Sequence, residues 1–262
     1  MTATAPHDDT AARLIDALNN DRFVLHQQPI MPIVAGARDE GYQEIFVRFK
    51  EEEEKRLPPG AFIPVLEGSH LMHLLDRWVV SRVIKWIHAG RLRDAAWSAP
   101  CCSINLSNDS LTHPDFPQFV IQQLQKGQVS GRKLAFEIGE DDANDRAGDL
   151  QRVTRELRPF GCRFTLTGYN GHFIAPGQLN AHGVDSVKMD VDIVTTLHSS
   201  RASLDHARRI HQACVLAGVH TIGEFVEKPE TLQHLKTLGV HYAQGWGIGR
   251  SAPLYAPQSE HV

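Results

Sequence analysis

No run of about eighteen apolar residues occurs anywhere in this 262-residue chain, so nothing in it reads as a membrane-crossing helix. The amino terminus, MTATAPHDD, lacks the basic-then-apolar order of a secretion signal. Cysteine is sparse. The four, Cys101, Cys102, Cys162 and Cys214, form no Cys-x-x-Cys pair, and the adjacent Cys101 and Cys102 point to opposite faces of a strand. A disulfide scaffold is thereby excluded, and packed thiols in a reduced, cytoplasmic protein are expected. Positive charge is not in excess either: the formal net charge of -4 removes bulk attraction to a nucleic acid polymer. Histidines number 15 but are scattered. His70 and His73 are three apart without acidic or thiol neighbours, which suits a solvated helix face better than a metal site.

What is present is alternation. Thr10 is placed to cap a helix whose apolar positions are Ala12, Leu14, Ile15 and Leu18. Strands follow at Phe23 to Ile30 and Tyr42 to Phe49, and the charged run Glu51 to Arg56 reads as a solvated loop or helix turn. Helices are expected over 71–88, 119–124, 149–158, 203–217 and 229–237. Strands are expected at Cys102 to Leu106, Leu134 to Ile138, Arg163 to Leu166, Ser186 to Met189, His220 to Val226 and Tyr242-Ala243. About eight strands alternating with helices predict a closed parallel α/β barrel, with no linker dividing the chain.

Most of these strands end in a polar group. The series is Glu44, Asn105, Glu137 with Glu140, Thr167-Gly168, Lys188 with Asp190, Glu224 with Glu227, and Gln244. Recurrence at one end of successive strands marks a site on one rim. Glu44, Asn105 and Glu137 are oxygen donors suited to a hard cation such as Mg²⁺ or Mn²⁺. Lys188 and Asp190 alternate on one strand and are expected to face the same side. Thr167 and Gly168 interrupt the series, because a hydroxyl and a bare hydrogen hold a divalent ion poorly.

These residues resemble the EAL domains that hydrolyse cyclic di-GMP. Gln28-Pro29-Ile30 is similar to the family's QPI. Glu44-Ile45-Phe46-Val47-Arg48 stands at its EAL-x-R motif, keeping the Glu and Arg but not the Ala-Leu. Phe62-Ile63-Pro64, Asp76-Arg77-Trp78-Val79 and Asn105-Leu106-Ser107 resemble FIP, D-x-W-V and NLS. Glu137-Ile138-Gly139-Glu140, Lys188-Met189-Asp190, Glu224-Phe225-Val226-Glu227 and Gln244-Gly245 resemble E-[LI]-T-E, K-I-D, EGVE and QG. The resemblance implies a TIM-like (β/α)8 barrel of the EAL type, its first strand antiparallel to the rest. A single such domain would span 10–255, between a flexible leader at 1–9 and a tail at 256–262.

Counting back from Asp190, the paired aspartates of the family's DDFG fall on Thr167 and Gly168. In active members those aspartates hold two metals, and two-metal hydrolysis needs both ions. The resemblance therefore implies a receptor that binds cyclic di-GMP without a metal cofactor and without turnover. Glu44, Asn105, Glu137, Lys188, Asp190 and Glu224 would be vestiges of hydrolysis, leaving room for one weakly held ion. Ligand contacts are expected from Gln28, Phe46, Val47, Arg48, Asn105, Asp190, Phe225, Glu227 and Gln244. Arg48 offers a planar fork for a phosphate, Phe225 and Phe46 offer stacking faces for guanine, and Glu227 can accept from guanine N–H groups.

The Phe-Val-Glu motif and the missing aspartates are most similar to a degenerate branch that regulates type IV pilus assembly. That branch implies a PilZ-domain adaptor and pilus-assembly components as partners, and a larger protein with receiver, PAS and GGDEF domains upstream. Two alternatives stay open. One is a Mg²⁺- or Mn²⁺-dependent phosphodiesterase giving pGpG, with Glu140, Glu224 or Asp185 replacing the lost acids. The other is a scaffold that binds protein alone.

Overall fold

The computed structural model describes residues 6–20, 22–34, 41–49 and 59–254. The charged run Glu51 to Arg56 and the tail 256–262 lie outside the described residues. Helix α1 (Pro6–Asn19) opens the chain. Thr10 is therefore inside the helix and does not cap it, and residues 6–9 of the expected leader are helical. Proline's fixed φ suits the first helical position, so Pro6 can start the helix that early. Leu14, Ala17 and Leu18 of α1 pack with Phe23, Phe49 and Phe62 in a small core of their own.

The barrel is built from β1 (Phe23–Pro29), β2 (Met31–Pro32), β3 (Tyr42–Phe49), β4 (Cys101–Asn105), β5 (Leu134–Gly139), β6 (Arg163–Tyr169), β7 (Ser186–Met189), β8 (His220–Gly223) and β9 (Tyr242–Ala243). β1 pairs with β3 antiparallel, and β3 to β9 then pair in chain order, all parallel. β2 pairs antiparallel with β9, and only Ile30 separates it from β1. The sheet thus closes on itself as an EAL-type barrel whose first strand runs against the others. A final short strand, β10 (Ala252–Pro253), joins the free edge of β1.

Helices α2 (Pro59–Gly68), α3 (Met72–Arg93), α4 (Asn108–Thr112), α5 (Phe116–Gly127), α6 (Glu140–Asp145), α7 (Ala147–Leu157), α8 (Val191–Thr195), α9 (Arg201–Leu216) and α10 (Pro229–Leu238) complete the structure. On α3, Leu75, Val79, Val83 and Ile87 recur every fourth residue and are buried, which is why the segment is helical. It outruns the expected 71–88 because its polar last turn carries Arg91 and Arg93, favoured at a negative helix end. Helix α5 likewise extends past the expected 119–124, to a left-handed Gln128. The strands β4 to β7 are almost wholly buried, as parallel strands covered on both faces must be. All four cysteines are free and buried. No described helix is long and apolar enough to cross a membrane.

Candidate functional site

Alternation along β7 sends Val187 and Met189 into the hydrophobic shell and Lys188 into the barrel. The Lys188 side chain is 1% exposed, and its Nζ donates to Glu44 Oε2 at 2.5 Å and to Glu137 Oε2 at 2.8 Å. Glu224 Oε2 stands 4.0 Å away. Glu44 is further fixed by Asn105 Nδ2 at 3.0 Å and Gln244 Nε2 at 2.8 Å. Gln244 Nε2 also donates to Gln28 Oε1 at 3.2 Å, and Gln28 Nε2 donates to the Gly249 carbonyl at 2.8 Å. Beneath them, Ser103 Oγ donates to Glu137 Oε1 at 2.5 Å, and the Thr165 and Ser186 hydroxyls pair at 2.7 Å. Six of these groups come from different strands, so barrel closure itself assembles the cluster.

One ammonium among three carboxylates sets the local titration. Burial works against the charge on Lys188, but Glu137, Glu44 and Glu224 outweigh it and raise its pKa, so it stays protonated. Burial also pushes Glu44 upward, yet the charge of Lys188 and the hydrogen bonds it accepts leave it below the usual carboxylate range. Glu137 is pushed up to about 7 by burial and by the neighbouring Glu44 charge, against the pull of Lys188. Glu224 is also raised to about 7, chiefly by burial. These groups titrate as a coupled set.

Thr167 and Gly168 lie where the β6–β7 pairing slips. Leu166 faces Val187 and Tyr169 faces Met189, so one extra residue bulges out between them. Gly168 has φ +63°, in the left-handed region that suits glycine. The loop beyond is pinned by Glu140, whose carboxylate accepts from the backbone N–H groups of Asn170, Phe173 and Ile174 at 2.9, 3.2 and 3.0 Å. Thr167 borders a cavity of about 800 Å³ with Asn105, Glu137, Asp109 and Asp142.

Two smaller cavities lie nearby, the first sharing Asp76 and Asn105 with the large one. One, of about 320 Å³, is lined by Gln28, Phe46, Val47, Arg48, Asp76 and Asn105, among others. The second, of about 240 Å³, is lined by Gln28, Glu44, Phe46, Glu224, Phe225, Glu227 and Gln244, among others. Phe225 is 54% exposed and sits at φ 56°, a strained choice for an aromatic residue. Its neighbour holds it there: Val226 N–H donates to the Gln244 carbonyl at 2.9 Å and Gly247 N–H to the Val226 carbonyl at 2.9 Å.

A family model of the EAL domain matches residues 11–251. The chain belongs to the EAL domain family. Among its relatives is the cyclic di-GMP phosphodiesterase PdeB of Shewanella oneidensis, 31% identical over 95% of this chain and 29% of that protein. Another is the cyclic di-GMP phosphodiesterase PdeF of Escherichia coli, 29% identical over 92% of this chain and 32% of that one. The chain thus spans a third or less of these relatives' lengths. The FimX EAL domain of Xanthomonas citri, solved in complex with c-diGMP, superposes with a TM-score of 0.85 at 24% identity, covering 95% of both chains. The FimX EAL domain of Pseudomonas aeruginosa bound to c-di-GMP gives 0.84 at 21%, over 93% of this chain and 96% of that one. At those identities the likeness is one of fold.

Within this EAL domain the expected residues gather with one exception. Asp190 lies just beyond β7, where its Oδ1 accepts from Asp192 N–H at 2.8 Å and caps α8. It lines neither small cavity, although its charge helps raise Glu224. Ending the strand at Met189 turns the chain before the alternation can carry Asp190 inward. Trp246, Ser251 and the hydroxyl layer of Ser103, Thr165 and Ser186 were not expected. The signal for Trp246 was its place directly after Gln244-Gly245. The hydroxyls gave none, since single serines and threonines in buried strands read as filler.

Proposed function

We propose that this EAL domain is a cyclic di-GMP receptor that holds its ligand without a metal ion and does not hydrolyse it. The observation that carries the reading is the state of the carboxylates. Glu44 and Glu137 are bridged by Lys188, and Thr167 and Gly168 stand where the family resemblance places its paired aspartates. Two divalent ions about 3.5–4 Å apart need anionic oxygens between them, and neither a hydroxyl nor a glycine supplies one. The residues present do not fit a two-metal centre. Two of the three possible substitutes are engaged elsewhere: Glu140 pins the loop after β6, and Asp185 accepts from Phe164 N–H at 2.9 Å and Arg158 Nη1 at 2.9 Å at the start of β7; the third, Glu224, borders the smaller cavity, 4.0 Å from Lys188.

The ligand-facing groups, by contrast, border open space. Arg48 takes a phosphate through its guanidinium fork. Phe225 stacks one guanine, with Phe46 on the inner wall, and Glu227 accepts from that guanine's N1–H and N2–H. Gln28 and Gln244 offer amide groups, while Val47 and Asn105 complete the wall. Signalling then passes to a protein partner. By likeness to the pilus-regulating branch, that partner is a PilZ-domain adaptor, and the wider setting is pilus assembly.

Titration calorimetry with cyclic di-GMP tests the receptor reading: heat of binding is expected, and its absence at tens of micromolar protein would reject it. The names of the two curated relatives favour a second reading, a working phosphodiesterase. Incubation with cyclic di-GMP and Mn²⁺, followed by chromatography, decides between them. Intact ligand is expected; pGpG accumulating over seconds to minutes would establish the enzyme.

A further inference from the structure

Strands β4 to β9 are parallel and finish at the mouth, so the helices that lead back to their starts end on the opposite face. These are α3, α5, α7, α9 and α10, followed by short loops into β4, β5, β6, β8 and β9. The loops lock to one another. Arg91 Nη1 donates to the Gln128 carbonyl at 2.7 Å and Lys133 Nζ to the Ala99 carbonyl at 2.6 Å. Arg158 Nη1 donates to the Gly183 carbonyl at 2.5 Å, and Asn180 Nδ2 to the Ala217 carbonyl at 2.7 Å. His220 N–H completes the series on the Asp185 carbonyl at 3.0 Å. The closed end of the barrel is therefore a preformed platform.

Its charge is opposite to that of the chain. Segments 91–100, 126–133, 155–163, 180–185 and 236–241 carry nine lysines and arginines against three acids, Asp94, Glu156 and Asp185, in a chain of formal net charge -4. Asp185 is already taken by Arg158, at 2.9 Å. Cations in a last turn are the ordinary complement of a helix C-terminus, which accounts for Arg91, Lys126, Arg155 and Lys236. It does not account for Arg132, Lys133 and Arg163, which lie beyond those helices.

Apolar side chains stand among these cations. Leu92 is 74% exposed, Phe160 40% and Leu216 90%, on the segments that enter β4, β6 and β8. Single exposed apolar residues are ordinary; a group of them at one basic end of an acidic chain is not. They rise from separate loops. The cavity at this end, bordered by Tyr42, Arg163, Asp185 and His220, holds about 30 Å³, room for a water and not for a side chain. A protein partner needs about 800 Å² of shaped surface on each side. A bilayer needs no such complementarity, only cations at the level of the lipid phosphates and apolar groups that reach below them.

We propose that the closed end of the barrel is a peripheral docking face for an anionic phospholipid bilayer. Lys126, Arg132 and Arg155 meet lipid phosphates there, and Leu92, Phe160 and Leu216 enter the headgroup region. Only this end is drawn to a negative surface, because the remainder of the chain is acidic. Docking in this orientation leaves the mouth turned toward solution, so the face works whether or not the receptor reading holds.

Vesicle co-sedimentation tests it. Vesicles of equal parts phosphatidylglycerol and phosphatidylcholine are expected to carry the protein down, pure phosphatidylcholine to leave it in solution, and added salt to release it. Lys126→Gln combined with Arg155→Gln should weaken the partition about 30-fold, from about 5-fold per cation. Leu216→Ser should weaken it about 10-fold, the lower end for burying a leucine. All three positions are exposed, so urea midpoints equal to wild type are expected and separate lost docking from lost folding. Equal partition to both kinds of vesicle, or to neither, overturns the proposal, as does wild-type partition in the double variant. Wild-type partition in Leu216→Ser overturns the entry of apolar groups. Binding to soluble polyglutamate with none to vesicles overturns the lipid assignment and gives the face to an acidic protein.

Discussion

On one flank of the mouth a set of polar groups hold one another: Lys188, Asn105 and Gln244 converge on Glu44, and Gln28 links Gln244 to Gly249. On the β6 flank, Thr167 and Gly168 sit in a bulge and contribute no charge. The two flanks face the same opening but answer to different demands. Recognition of a dinucleotide needs shape, an arginine and amide edges, all of which the first flank supplies. Two-metal hydrolysis needs carboxylates on the second. On the proposed reading Glu44 and Asn105 belong to both tasks, and what sets the flanks apart is Thr167 and Gly168 on β6.

The largest expected effect comes from breaking the centre that both flanks share. Lys188→Met leaves Glu44 and Glu137 buried beside each other without a cation, and it should cost about 3–5 kcal/mol in urea unfolding. A loss under about 1 kcal/mol would mean the acids simply take up protons. Arg48→Ala acts on the recognition flank alone. Losing a charge-assisted phosphate contact should weaken cyclic di-GMP binding about 10- to 150-fold by calorimetry, with stability unchanged. Thr167→Asp, on the opposite flank, should leave that affinity where it was.

Phe225→Gly separates stacking from strain. Relief of the left-handed backbone should raise stability by up to about 1 kcal/mol, offset in part by glycine's entropy when unfolded, while ligand affinity falls. A stability loss would show that Phe225 is a packing residue.

The smallest effect lies at the closed end of the barrel. There His241, beside His211 and His220, is held down to about 4 by burial first and by the two neighbouring imidazoles second. Its Nδ1 accepts from Thr221 N–H at 3.0 Å. A depressed folded pKa means the unfolded chain binds the proton more readily. The stabilisation is therefore complete above about 6.5 and is lost as pH falls toward 4. Glu137 and Glu224, raised to about 7, act in the opposite direction over that window. Comparing urea midpoints of wild type and His241→Gln between pH 7.5 and 4.5 isolates the histidine, and the gap should narrow on acidification.

Much of this arrangement could be read from the chain because periodicity reports it. The fourfold recurrence of Leu75, Val79, Val83 and Ile87 marks α3, and the single lysine in Val187-Lys188-Met189 marks an inward side chain. Closure was legible only as a strand count. The pairing that achieves it, Met31 with Ala243 and Pro32 with Tyr242, involves two residues that no pattern distinguishes from a loop. Alternation carried to Asp190 runs one residue past the end of β7, where the carboxylate caps α8 while its charge still reaches Glu224. Trp246 follows Gln244-Gly245 directly, but that it borders two cavities is a property of the packed chain. The start of α1 is masked in the sequence because Thr10 offers a favourable cap inside a helix that begins at Pro6.

Whether the recognition flank works alone is decided most directly by measuring the dissociation constant for cyclic di-GMP twice, once with excess chelator and once with millimolar Mn²⁺. Equal constants are predicted, since no ligand contact passes through a metal. Binding that appears only when Mn²⁺ is present would contradict the account and place the ions back at the centre of the site.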